Sequence, residues 1–243
     1  AAELPRAIDP GRSSVAGLTR GELAGRIDHT ILIPEAPRSS VIDTASLAVS
    51  LRCASVCVQP SMVVVAAEVV GSRIAVCSVV GFPHGSNLSE VKAHEAAAVV
   101  AQGAIEVDMV ADLAAINDGD FEAVRSDVAR VRVAVPHVVL KVILESALWS
   151  PAQLRAACEA AVGGGADYVK TSTGFHLAGG ATLDAVRTMV DCVGDRAKVK
   201  ASGGIRDLVT ALAMIEAGAN RLGLSATEAV LDELSGVGGG SIS

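Results

Sequence analysis

Short aliphatic runs alternate along this chain with stretches whose apolar residues fall at helical spacing. After a Pro- and Gly-bearing start without apolar periodicity (residues 1–16), expected to be of low order, a short helix is predicted around Leu18 to Ala24. The aliphatic runs are 27–32, 54–58, 73–80, 105–110, 138–144, a sixth that holds Lys170 near its end, a seventh that holds Lys200 near its end, and 220–224. Period-two alternation makes each a strand candidate, and it puts Asp28 and Thr30 on one face.

Helices are predicted between these runs from their start and stop residues. Ser39 or Ser40 is expected to cap a helix to about Ser50, Ser61 one over Met62 to Val70 stopped by Gly71, and Asn87 with Glu90 a long Ala-rich helix ending at Gly103. A helical region broken near Asp118-Gly119 continues to about Val133. Ser150-Pro151, Thr182 and Asp207 open the next three, and a last helix is placed near Thr227 to Leu234, before a Gly/Ser tail (235–243) expected to be disordered. Eight strand candidates alternating with helices predict an α/β chain of one (β/α)8 TIM barrel over 17–234. An open doubly wound sheet is the alternative. It is disfavoured because no Gly-x-Gly-x-x-Gly follows the first strand and polar residues mark the ends of most strands.

Composition sharpens this picture. The chain is 51% hydrophobic but holds only one Trp, one Tyr and three Phe, so its core must be built from Ala, Val, Leu and Ile. A net charge of −7 argues against a general nucleic-acid surface. No apolar run reaches the roughly 18 residues of a membrane span. Cys53, Cys57, Cys77, Cys158 and Cys192 form an odd, scattered set that reads as reduced thiols of a cytoplasmic protein. The five histidines show no metal spacing, so no metal is expected; His29 points to the face opposite Asp28 and reads as a packed or hydrogen-bonded residue.

Candidate chemistry lies in the strands themselves. Asp28, Asp108, Lys141, Lys170 and Lys200 interrupt aliphatic runs, and Lys and Asp are seldom buried unless paired. They either neutralise one another as a polar layer or form a reactive site. Lys170 and Lys200, near the ends of neighbouring strands, suggest amine catalysis: one ammonium beside another lowers its pKa, and a neutral amine attacks carbonyl carbon. Ser202-Gly203-Gly204-Ile205-Arg206 and Gly223-Leu224-Ser225 follow the last two strands, where barrels commonly hold phosphate, and Thr173-Gly174 adds a further edge. Cys57 shares a face with Ser55; it either lines the pocket or is a buried inert thiol.

Several ordered motifs carry a resemblance: Gly81-Phe82-Pro83-His84-Gly85, Glu106-Val107-Asp108-Met109-Val110, Leu140-Lys141-Val142-Ile143, Asp167 through Gly174, and Lys200 through Arg206. From Ile27 to Ser225 the chain resembles the deoxyribose-phosphate aldolases. The resemblance implies a Schiff-base lysine at Lys170, a neighbouring cation at Lys200 and a proton relay through water at Asp108. It places Asp28, Cys57 and Lys141 at pocket positions, and Gly174, Gly203, Gly204, Arg206, Gly223 and Ser225 in phosphate loops. It also implies reversible cleavage of 2-deoxy-D-ribose 5-phosphate to glyceraldehyde 3-phosphate and acetaldehyde, with neither metal nor organic cofactor, by a homodimer. A related Schiff-base lyase for another phosphosugar and a non-catalytic phosphosugar-binding barrel are the alternatives. Ala226 stands where many members carry a second serine, and the sequence ends Gly240-Ser241-Ile242-Ser243 where some members have a tyrosine that reaches the site. Turnover or selectivity for the phosphorylated substrate is therefore expected to be lower.

Overall fold

The computed structural model describes residues 17–238, so the expected N-terminal extension and residues 239–243 lie outside the described residues. Eight strands, β1 (Ile27–Ile31), β2 (Ser55–Val58), β3 (Ala75–Val80), β4 (Glu106–Val110), β5 (Val139–Ile143), β6 (Tyr168–Lys170), β7 (Lys198–Ser202) and β8 (Arg221–Leu224), pair in parallel in chain order. β8 returns to β1 through Asp28 opposite Gly223, which closes the barrel. The (β/α)8 expectation is met; most strands start or stop a residue or two inside the aliphatic runs, whereas β7 continues past Lys200 to Ser202.

Around the barrel lie α1 (Arg20–Ala24), α2 (Arg38–Leu51), α3 (Val63–Val70), α4 (Ser89–Ala101), α5 (Leu113–Asp118), α6 (Phe121–Ala134), α7 (Pro151–Gly163), α8 (Leu183–Val193), α9 (Leu208–Glu216) and α10 (Thr227–Gly238). Ser150, Thr182 and Asp207 cap α7, α8 and α9 through their side chains, and Gly119, at φ 75°, separates α5 from α6. Three expected caps are not formed. α2 starts from Pro37, whose ring already holds φ at −68°, so Ser39 and Ser40 lie inside its first turn. Ser61 sits within a 3-10 turn closed by the Met62 amide on the Gln59 carbonyl (2.9 Å). α4 is entered at Leu88, past Asn87, with no side-chain cap. α10 runs to Gly238, four residues beyond the expected helix end.

The main hydrophobic core lies between the sheet and the helices: Val107, Leu140, Val142, Val169, Val199 and Leu222 turn outward from their strands to meet residues such as Val128, Leu154, Val186 and Met189. Because this outer shell takes the apolar side chains, the interior of the barrel is left to the opposite faces of the same strands. There, among the described residues, a small apolar cluster forms from Leu32, Cys57, Cys77 and Val79. The loop after β3 is drawn onto the end of β4 at Gly85: a Cβ there would sit 2.0 Å from the Ala111 carbonyl oxygen, and φ is +70°, so only glycine fits.

Candidate active site

Alternation along each strand sends one set of side chains inward, and on six of the eight strands, all but β2 and β3, that set carries a charge. Asp108 of β4 stands at the centre. Its Oδ1 accepts from Lys141 Nζ (2.8 Å) and from the Cys77 thiol (3.2 Å), while Oδ2 accepts from Lys170 Nζ (2.8 Å) and Lys200 Nζ (2.7 Å). Asp28 of β1 accepts from Ser55 Oγ (2.7 Å), Lys200 Nζ (2.5 Å) and Arg221 Nη1 (2.5 Å). Glu106 binds Lys141 Nζ (2.6 Å) and Arg221 Nη2 (3.1 Å). Register makes the contacts possible: Asp108 is level with Lys141, Lys170 with Lys200, and Lys200 with Arg221. Lys200 can cross the strand ends because residue 223 is glycine; a Cβ there would meet Ser202 Oγ at 2.3 Å and Lys200 Cε at 3.0 Å.

Burial on its own would protonate these carboxylates. For Asp108 it is outweighed by the ammoniums of Lys141, Lys170 and Lys200, which hold the acid well below the ordinary range. Burial likewise opposes ionisation of Asp28, but Lys200, Lys141 and Arg221 together keep its pKa low. Lys141 and Lys200 are shifted the other way: desolvation would lower them, and the surrounding carboxylates raise them instead. Among the described residues, four cationic side chains (Lys141, Lys170, Lys200, Arg221) thus share three carboxylates (Asp28, Glu106, Asp108), leaving one positive charge in surplus. Lys141 touches all three acids and Lys200 touches two, whereas Lys170 touches Asp108 alone.

Lys170 is also the member of this network that opens on a cavity. That cavity, of about 500 Å³, lies at the C-terminal mouth of the barrel and is walled by Lys170, Thr30, Gly174, Gly203, Gly204, Arg206, Gly223 and Ser225, with Ile31, Ile33 and Leu47 as apolar lining. Of the residues singled out in the sequence, Asp28, Asp108, Lys141 and Lys200 lie beneath the cavity floor, fully buried. Cys57 is fully buried beside Cys77 and does not line the cavity. The hydrogen bond with Cys77 lowers the Cys57 thiol pKa, and burial raises that of Cys77. Thr173 lies on the wall, but its hydroxyl and its amide both donate to Glu145. His29 turns outward to Thr227 Oγ1 (2.7 Å), the hydrogen-bonded role its alternation implies.

Glu106, Arg221, Cys77, Ser55 and Glu145 did not emerge from the sequence. The signal for the first two was available: Glu106 lies two residues before Asp108 and Arg221 two before Gly223, on the same inward faces. The described residues contain one His/Cys/Asp/Glu group compact enough for a metal ion, Cys57 with Cys77 and Asp108. The Lys141 ammonium already donates to both Cys77 and Asp108, which opposes a second cation there.

A closed parallel barrel with an amine at its C-terminal mouth, glycine turns beside it and a buried charge network below defines a (β/α)8-barrel enzyme. The chain belongs to the DeoC/LacD aldolase family, whose model matches residues 23–236. It is 54% identical over 221 residues to the deoxyribose-phosphate aldolase of Mycobacterium tuberculosis (strain H37Rv), covering 89% of this chain and 98% of the relative. Identity to the enzyme of the same name from Kocuria rhizophila is 54% over 218 residues, with 89% and 99% covered. The structure of the Aeropyrum pernix deoxyribose phosphate aldolase, described as tetrameric, superposes with a TM-score of 0.83 at 33% identity, over 90% of this chain and 93% of that one.

Proposed function

We propose that this protein is a class I aldolase that reversibly cleaves 2-deoxy-D-ribose 5-phosphate to D-glyceraldehyde 3-phosphate and acetaldehyde through a Schiff base on Lys170. The observation that carries the reading is the position of Lys170 Nζ: on the cavity wall, bonded to one carboxylate that it shares with Lys200. In this scheme the neutral amine adds to the open-chain aldehyde carbon, and loss of water leaves a cationic iminium. Removal of the proton from the hydroxyl on the third sugar carbon breaks the bond between the second and third carbons. Its electron pair passes into the iminium as an enamine, and glyceraldehyde 3-phosphate departs. Protonation of the enamine carbon and addition of water release acetaldehyde and the free lysine.

Asp108, ionised by its lysines, stabilises the iminium and relays protons through water, with Lys200 beside it. The iminium itself is the electron sink, so the scheme needs no cofactor. Asp28 and Lys141 hold Asp108 and Lys200 in place, and Thr30 and Cys57 belong to the wall and its support. Gly174, Gly203, Gly204, Arg206, Gly223 and Ser225 receive the phosphate, with backbone N–H groups and the Arg206 guanidinium as donors. Among the described residues no helix is long and apolar enough to cross a membrane, and none of the cysteines is disulfide-bonded, in keeping with work in a reducing compartment on a small phosphorylated sugar. For the assembly we retain a homodimer, which light scattering on the eluting protein distinguishes from a monomer or tetramer.

Borohydride reduction in the presence of acetaldehyde, followed by peptide mapping, tests the scheme. The expected result is a two-carbon adduct on the peptide carrying Lys170. An unmodified Lys170, with or without label elsewhere, overturns it.

A further inference from the structure

Glu145 follows β5 at the mouth of the barrel in a conformation that a residue with a side chain seldom adopts, φ 54° and ψ 56°. The chain on either side is tied to the strand that carries Lys170: the Leu144 amide donates to the Lys170 carbonyl (2.9 Å) and the Ser146 amide to that of Thr171 (2.7 Å). The left-handed turn between these bonds tucks the Glu145 side chain inward, where the residue is 1% exposed. Its carboxylate accepts from Thr173 Oγ1 (2.7 Å) and from the Thr173 amide (3.3 Å to each oxygen), and Thr173 Oγ1 in turn accepts from the Phe175 amide (3.1 Å). Among the described residues no cation pairs with Glu145. A carboxylate removed from water without a counter-charge, on a strained backbone, is costly to keep, and such features collect at functional sites.

From this arrangement we infer that Glu145 is a positioning residue for the phosphate end of the substrate: it acts through Thr173, setting the turn that presents Gly174 and Phe175 to the cavity. The inference rests on the aldolase reading above. An anion beside a phosphate gives no attraction, so the contribution of Glu145 is geometric. By engaging both donors of Thr173 it fixes which N–H groups of the turn remain for the ligand. Phe175, whose ring meets Phe82 edge-on at 5.2 Å, carries the same placement to the loop after β3.

Steady-state kinetics of Glu145→Ala, Glu145→Gln and Thr173→Val test this on 2-deoxyribose 5-phosphate and on unphosphorylated 2-deoxyribose. Glu145→Ala is expected to raise KM for the phosphorylated sugar by about tenfold or more, with kcat within about threefold and with kcat/KM for the unphosphorylated sugar within about threefold. Glu145→Gln, which retains an acceptor oxygen, restores KM to within about threefold of wild type. Thr173→Val, which removes only the hydroxyl, raises KM in the same direction and keeps the test decisive if Glu145→Ala fails to fold. Equal losses on both sugars, or a fall in kcat at constant KM, overturn the inference while leaving the aldolase reading intact. A wild-type protein that cleaves neither sugar and gains no adduct at Lys170 overturns both.

Discussion

Lys92 and Lys170 are both buried, yet their surroundings differ in kind. Lys92 of α4 is fully buried, pairs with Asp127 of α6 at 2.7 Å, and lays its stem beneath Gly81, where a Cβ would meet its Cε at 3.2 Å. One cation meets one anion there, between two helices and away from the mouth cavity. Lys170 shares a carboxylate oxygen with a second ammonium, belongs to a cluster with a surplus positive charge, and faces a cavity. Burial of a lysine therefore does not mark a reactive site. What sets Lys170 apart is the balance of charges within a few ångströms and its place on a cavity wall.

The widest separation between the two lysines is expected in activity. Lys170→Ala should lower turnover by at least about ten-thousandfold, more than about 5 kcal/mol of transition-state stabilisation, with an unchanged circular dichroism spectrum. Lys92→Met should do the reverse. It leaves Asp127 buried without a partner, and chemical denaturation should show a loss of about 3–5 kcal/mol in stability with normal turnover per folded molecule. The double variant Lys92→Met/Asp127→Leu should recover most of that loss; a Lys92→Met enzyme that is stable but inactive would make the two lysines alike after all.

Next in size is Lys200→Met. It leaves three cations against three carboxylates while Lys170 is protonated, so withdrawing the Lys170 proton then makes the cluster negative. The acidic limb of the pH profile of kcat/KM should move to higher pH, with activity at pH 7 lowered about ten- to hundredfold. A profile that only scales down, without moving, would remove Lys200 from the charge balance.

The smallest effects concern stability against pH. His29 is depressed, chiefly by burial, so its contribution is complete above the ordinary histidine value of about 6.5 and is lost as pH falls below it. The depressed carboxylates Asp28 and Asp108 contribute fully above about pH 3.9 and lose that contribution as pH falls towards their lowered values. The raised Lys141 and Lys200 contribute fully below about pH 10.4 and lose stability only as pH climbs through their higher folded values. Thermal melts should accordingly show a shallow decline below about pH 6.5 and a steep one below about pH 4. His29→Asn should remove only the shallow limb.

Most strands were legible because aliphatic runs of the right length, bounded by glycine or proline, recur with a charge inside them. Asp28, Asp108, Lys141, Lys170 and Lys200 were visible as that charge, and Gly119 was legible as a helix break. Caps were legible where the serine, threonine or aspartate stood directly before the first turn, as at Ser150, Thr182 and Asp207, and were misplaced where Pro37 or Pro60 set the backbone earlier. Glu106 and Arg221 open their strands, where a charge reads as a solvated end; closure of β8 onto β1 brings Arg221 to Asp28. Glu145 and Thr173 are 28 residues apart, and their bond depends on a left-handed turn at a residue type that gives no warning of it.

By itself the sequence determined the alternation of strands and helices, the inward face of each strand and the chemical types gathered there, because period-two alternation and burial are local consequences of residue order. The tertiary structure alone decided how the cavity is walled, how many acids each cation touches and which way Thr173 turns. Those depend on the register between strands and on distances of a few ångströms across a closed barrel, over which electrostatic energies change steeply and residue order carries no information.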